Sequence, residues 1–66
     1  MNVLLVDDSL TVRMDLSEAF EESGFTVRPC ANLFQAREAM SRQHWDVIVL
    51  DVILPDGDGI ELLGEV

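Results

Sequence analysis

The 66-residue sequence contains no lysine and no tyrosine, one cysteine (Cys30), one histidine (His44) and 2 prolines. A single cysteine excludes an intrachain disulfide. One thiol and one imidazole do not make a Cys/His zinc site, which takes four ligands of those kinds. Basic residues total 4, all arginines, against 13 acidic residues, a net charge of −9. That balance argues against nucleic-acid binding, which needs cationic surface to displace counterions, and against docking on an anionic membrane. The longest apolar runs have four residues, Val3–Val6 and Val47–Leu50, far short of the roughly 20 that cross a bilayer. Met1-Asn2-Val3-Leu4 carries no basic segment, so no signal peptide is expected. A lone thiol fits a reducing, cytoplasmic setting.

What the sequence does have is apolar content. At 48% hydrophobic it is too rich in core-forming residues for a disordered acidic tail. A chain this short nevertheless buries only about 60% of the surface its unfolded form exposes. With neither disulfide nor zinc available, its order must come from packing, from association, or from belonging to something larger.

Val3-Leu4-Leu5-Val6 is a continuous apolar run, as expected for a strand covered on both faces. Asp7-Asp8 ends it, and Ser9 offers a helix N-cap. From Ser9 to about Ser23 the spacing is helical, with Val12, Leu16, Ala19, Phe20 and Ser23 on one face. Gly24 suits the position just past the helix end. Phe25-Thr26-Val27-Arg28 alternates apolar and polar residues as a strand does, and Pro29 directs that strand to a sheet edge. Asn32 can cap a second helix, about Leu33 to Gln43, with Leu33, Ala36, Ala39 and Met40 inward. Val47-Ile48-Val49-Leu50 reads as a third, buried strand ended by Asp51. Pro55-Asp56-Gly57-Asp58-Gly59 is a loop by composition, and a third helix is expected from Ile60 to Val66, with Leu62 and Leu63 toward the core. Strands alternating with helices indicate a parallel α/β sheet with right-handed crossovers.

The chemistry lies in the acids that end the strands. In an open parallel sheet, ligands bind beyond the carboxyl ends of the strands, where the strand order reverses. If strands two and three flank strand one, Asp7, Asp8 and Asp51 converge in one crevice. Clustered carboxylates repel one another unless a cation neutralises them or a pKa rises. An all-oxygen site with open positions suits Mg²⁺, and a carboxylate can attack phosphorus to form an aspartyl phosphate. The residues alone leave two readings open: a small acidic Mg²⁺ site with a phosphoryl acceptor, or strand-end acids on a solvated rim.

The whole chain resembles the N-terminal half of the receiver domain of bacterial response regulators. The resemblance is carried by strand one running into Asp7-Asp8-Ser9, by Arg13, Leu16 and Gly24, by Glu38-Ala39-Met40, by Trp45 to Asp51, and by Val52 to Leu63. It implies a flavodoxin-like (CheY-like) sheet with strand order 2-1-3, present as a truncated βαβαβα half, so that residues 1–66 form a partial domain. It implies that Asp51 is the phosphoacceptor, that Asp8 ligates Mg²⁺ directly and Asp7 mainly through water, and that the backbone carbonyl of Ile53 is the third protein ligand. The partner it implies is a histidine kinase or phosphotransfer protein, and the chain itself would not be an enzyme. Whole receivers are about twice this length, consistent with ordinary domain sizes. They add a Ser or Thr after a fourth strand and a Lys after a fifth, both touching the phosphoryl group. This sequence contains neither strand and no lysine, so phosphorylation would be impaired.

Other readings fare worse. Asp56, Asp58, Gly59 and Glu65 follow part of a calcium-loop spacing, but Leu54 at the first position cannot ligate. A haloacid-dehalogenase-like phosphatase wants a second Asp two residues after the nucleophile, and Ile53 stands there. Cys30 reads as a small apolar filler and His44 as a loop residue. A different class remains: a non-signalling α/β half-domain that forms homo-oligomers through the outer edge of strand three, residues 47–50, whose backbone groups would lack a neighbour.

Overall fold

The computed structural model describes residues 1–65, and of Leu63 and Glu65 only the backbone. The elements are β1 (Asn2–Val6), α1 (Leu10–Glu22), β2 (Thr26–Cys30), α2 (Leu33–Arg42), β3 (Val47–Leu50), β4 (Ile53–Leu54), β5 (Gly57–Asp58) and a 3-10 helix (Gly59–Glu65). The main sheet has the order β2-β1-β3, all parallel, which is the order expected from the sequence. Val6 pairs with Cys30 on one side and with Leu50 on the other. The three strands therefore end level, and the residues that follow them share one edge.

Local chemistry explains where the helices start and stop. Ser9 caps α1 through a long hydrogen bond from the Val12 amide, 3.4 Å. At its other end the Gly24 amide donates to Glu21 and the Phe25 amide to Phe20, at 3.0 and 3.1 Å. Gly24 has φ +91°, the left-handed geometry of a glycine-terminated helix. The rings of Phe20 and Phe25 then meet edge to face, 5.8 Å apart, the apolar contact that goes with this ending. Asn32 caps α2 by accepting from the Gln35 amide at 2.8 Å.

Alternation along β1 sends Leu4 and Val6 to one face and Val3 and Leu5 to the other. Leu4 and Val6 join Cys30, Leu33, Ala36, Ala39, Leu54 and Leu62 in a single buried cluster, with Met40, Trp45, Ile48 and Leu50 against it. This is the α2 face. The other face is covered by α1, none of whose side chains is buried.

The structure corrects four expectations. The last element is a 3-10 helix from Gly59, not an α-helix from Ile60; Leu62 is buried as expected, while Val66 and the Leu63 side chain lie outside the described residues. Within the Pro55–Gly59 segment, expected to be loop, Pro55 to Asp58 form the turn and second strand of a small antiparallel ribbon, with Ile53 opposite Asp58 and Leu54 opposite Gly57. β3 is half-buried along its whole length rather than buried, because among the described residues it pairs only with β1. β2 runs on through Pro29 to Cys30, which is tolerated because β2 is the sheet edge that Pro29 was expected to mark.

Candidate functional site

Asp7 and Asp51 each continue a strand by one hydrogen bond. The Asp7 amide donates to the Cys30 carbonyl at 3.0 Å and the Asp51 amide to the Val6 carbonyl at 2.8 Å. Both carboxylates are thus held on the backbone of the sheet, at the edge where the strand order reverses. Asp7 and Asp51 are half-buried, and Asp8 is exposed. One carboxylate oxygen from each of Asp7, Asp8 and Asp51 lies within 4.8 Å of the other two. The convergence expected from the sequence is therefore present.

Neighbours orient two of the three. Asp7 Oδ1 accepts from the Ser9 amide at 2.9 Å, and the Arg13 guanidinium reaches back from α1 to the Asp7 carbonyl at 2.7 Å. Asp51 Oδ1 accepts from the Ile53 amide at 3.3 Å. The donor set is hard, anionic and all-oxygen, the type that Mg²⁺ takes. Two ligands about 2.1 Å from one Mg²⁺ stand at most about 4.2 Å apart, so small side-chain rotations bring these three oxygens within range of one ion.

The β4–β5 ribbon defines how Ile53 faces this cluster. The Gly59 amide donates to the Val52 carbonyl at 2.6 Å, which makes Val52 and Gly59 a hydrogen-bonded pair. Bonded and non-bonded pairs alternate in an antiparallel ladder, so Ile53 and Asp58 are a non-bonded pair. The amide and carbonyl of Ile53 consequently point away from the ribbon. Its amide goes to Asp51, and its carbonyl is left on that same side.

The sequence reading missed two features. Gly59 is buried, and a Cβ there would collide with the Asp51 carbonyl. Asp56, read as a loop residue, accepts from the Leu33 amide at 2.8 Å and the Phe34 amide at 3.0 Å, at the start of α2. The Leu33 amide holds the Asp56 carboxyl below its ordinary pKa, desolvation opposes it, and the Phe34 amide adds to the lowering. Asp58 caps the 3-10 helix by accepting from the Ile60 amide at 2.9 Å. Burial pushes the Cys30 thiol above its ordinary pKa, against the nearby arginines, which suits an inert core residue. Among the described residues no helix is long and apolar enough to cross a membrane.

Comparison with known proteins matches residues 3–66 to the family of the response regulator receiver domain. The chain is 36% identical over 61 residues to sporulation initiation phosphotransferase F of Bacillus subtilis, covering 92% of this chain and 49% of that protein. Among solved structures, the response regulator TrrA of Thermotoga maritima, in complex with Mg²⁺–BeF, superposes with a TM-score of 0.89 at 30% identity, over 97% of this chain and 56% of that one. A chain of the complex between histidine kinase ThkA and TrrA matches with a TM-score of 0.88 at 30% identity, over 97% and 55%. The chain thus spans about half the length of these relatives. Sequence pattern, strand order and comparison agree, and the chain belongs to the response regulator receiver family of two-component signalling.

Proposed function

We propose that Asp51 accepts a phosphoryl group from a histidine kinase or phosphotransfer protein, at a Mg²⁺ site made by Asp7, Asp8, Asp51 and the Ile53 carbonyl. The observation that carries this reading is the meeting of three carboxylates within 4.8 Å at the reversal of strand order. The outward-facing Ile53 backbone supports it, as do the Mg²⁺–BeF complex and the kinase complex of TrrA. Mg²⁺ bound there would neutralise the carboxylates and polarise the phosphoryl oxygens. An Asp51 oxygen forms the new P–O bond as the donor's P–N bond breaks, and the imidazole released takes up a proton. Asp51 is half-buried yet open to the edge, and the Ile53 amide on its Oδ1 directs the other oxygen toward attack. The chain is the acceptor in this transfer, not a catalyst of repeated turnover. These residues by themselves hold no lysine to meet the phosphoryl group, so transfer is slower than in whole receivers. The setting is cytoplasmic.

The test is beryllofluoride or acetyl phosphate with Mg²⁺, read by mass spectrometry and by amide chemical shifts. The adduct should form on Asp51 and vanish in Asp51→Asn. No adduct, or equal modification of both proteins, overturns the reading.

One observation favours a second role beside this one. Among the described residues β3 pairs only with β1, and its four side chains are half-buried. The free backbone edge of residues 47–50 is a template for another strand, and a second copy pairing antiparallel there would extend the sheet. Sedimentation should then show a dimer, and a folded, monodisperse monomer at micromolar concentration overturns it.

A further inference from the structure

The ribbon that carries Ile53 is too small to hold itself. Each of its strands has two residues, and isolated two-stranded hairpins are at best marginal in water. It is held at both ends. At its root, the Gly59 amide bonds the Val52 carbonyl and the Gly59 backbone lies against Asp51. At its tip, the turn Leu54–Gly57 leans on the first residue of α2. Leu54 is buried in the cluster with Leu33, and a Cβ on Gly57 would come within 2.7 Å of Leu33 Cδ1.

The Asp56 carboxylate adds direction to that contact. Oδ1 takes the Leu33 amide and Oδ2 the Phe34 amide. A bidentate bond fixes the orientation of the turn as well as its distance. The helix does not depend on Asp56 alone for capping. Asn32 already accepts from the Gln35 amide, and the Gln35 side chain accepts from the Ala31 amide, both at 2.8 Å. The bonds to Asp56 span 22 and 23 residues, so they tie a distant ribbon to the helix in addition to capping it. A further tie joins the same helix to the segment after the ribbon, Arg37 to Glu61 at 3.5 Å.

We infer that Asp56 is a positioning residue: by clamping the β4–β5 turn onto the start of α2, it holds the Ile53 carbonyl toward the Asp7–Asp8–Asp51 cluster. The inference rests on the metal reading proposed above. Groups that orient a metal ligand from outside typically change metal affinity 10- to 100-fold when removed. Asp56 touches neither metal nor phosphoryl group, so its effect passes through the ribbon.

The experiment has a metal-free arm and a Mg²⁺ arm. Without metal, Asp56→Ala should speed amide hydrogen exchange at Leu33 and Phe34, and also at Gly59, at the far end of the ribbon. With Mg²⁺, calorimetry should show binding weakened about tenfold. Asp56→Asn, which keeps one acceptor oxygen, should fall between, and it carries the comparison if Asp56→Ala does not fold. Asn32→Ala removes the local cap of the same helix and should leave both Gly59 exchange and Mg²⁺ affinity unchanged. Unaltered Gly59 exchange in Asp56→Ala overturns the clamp. Matching effects of Asn32→Ala overturn it too, because they reduce it to ordinary helix capping. A native chain that binds no Mg²⁺ overturns the metal reading instead, while the Gly59 arm still decides whether Asp56 holds the ribbon.

Discussion

Leu4 and Leu5 are neighbours on β1, both fully buried, yet they face different halves of the molecule. Leu4 points into the α2 face, among Leu33, Ala36, Ala39, Leu54 and Leu62. Leu5 points toward α1, a helix with no buried side chain and with Leu10 and Met14 each more than 60% exposed. One face is a packed cluster; the other is a single amphipathic helix laid on a strand. The candidate site is built unequally from them. The α1 side supplies Ser9 and Arg13, which steady Asp7. The α2 side supplies the ribbon, with Ile53 beside Asp51 and Asp56 on the helix. The Ile53 backbone is thus mounted on the better-packed half.

The comparison breaks most directly by truncating each leucine in turn. The cost of a Leu→Ala change runs from about 2 to 5 kcal/mol and depends on how far the surroundings can collapse into the space left. Leu4→Ala should fall at the upper end, because its neighbours are fixed on α2, the ribbon and the 3-10 helix. Leu5→Ala should fall at the lower end, since the partly exposed side chains of α1 can settle inward. Urea denaturation measures both. Equal losses would mean that α1 packs as rigidly as α2 and that the two faces do not differ.

How much of this was legible in the sequence follows the same division between local and distant. Gly24 announced the end of α1, and Asn32 the start of α2, because caps are written within a few residues of the helix they close. The strand order was implied by the family resemblance, and given that order the meeting of Asp7, Asp8 and Asp51 followed from a general rule about parallel sheets. The clamp was not legible. Nothing near Asp56 announces that its partners are amides more than twenty residues earlier. Nor can two-residue strands show a period, so the ribbon looked like loop. The half-burial of β3 was hidden for another reason. Its sequence is that of a covered strand, and its exposure depends on neighbours, not on its own residues.

The smaller prediction sharpens the comparison by pH. The Asp56 carboxyl is held below its ordinary pKa, chiefly by the Leu33 amide and then by that of Phe34. A group with a lowered folded-state pKa gives its full stabilisation above the ordinary carboxylate value, and loses it as the pH falls through the folded-state value. The clamp should therefore stay closed at neutral pH and open only in acid. The N-cap of α1 differs, because the Ser9 hydroxyl that accepts from the Val12 amide does not titrate in this range. Protection factors corrected for intrinsic exchange should thus decline at Leu33 and Phe34 on acidification, before those at Val12. Asp56 is solvent-exposed, so the effect belongs to the first turn of α2 and the ribbon rather than to the whole fold. The core amides of β1 should keep their protection across the same interval. Simultaneous loss at all four places would show that the ribbon, the helices and the sheet open as one unit, and that the α2 face has no separately hinged part.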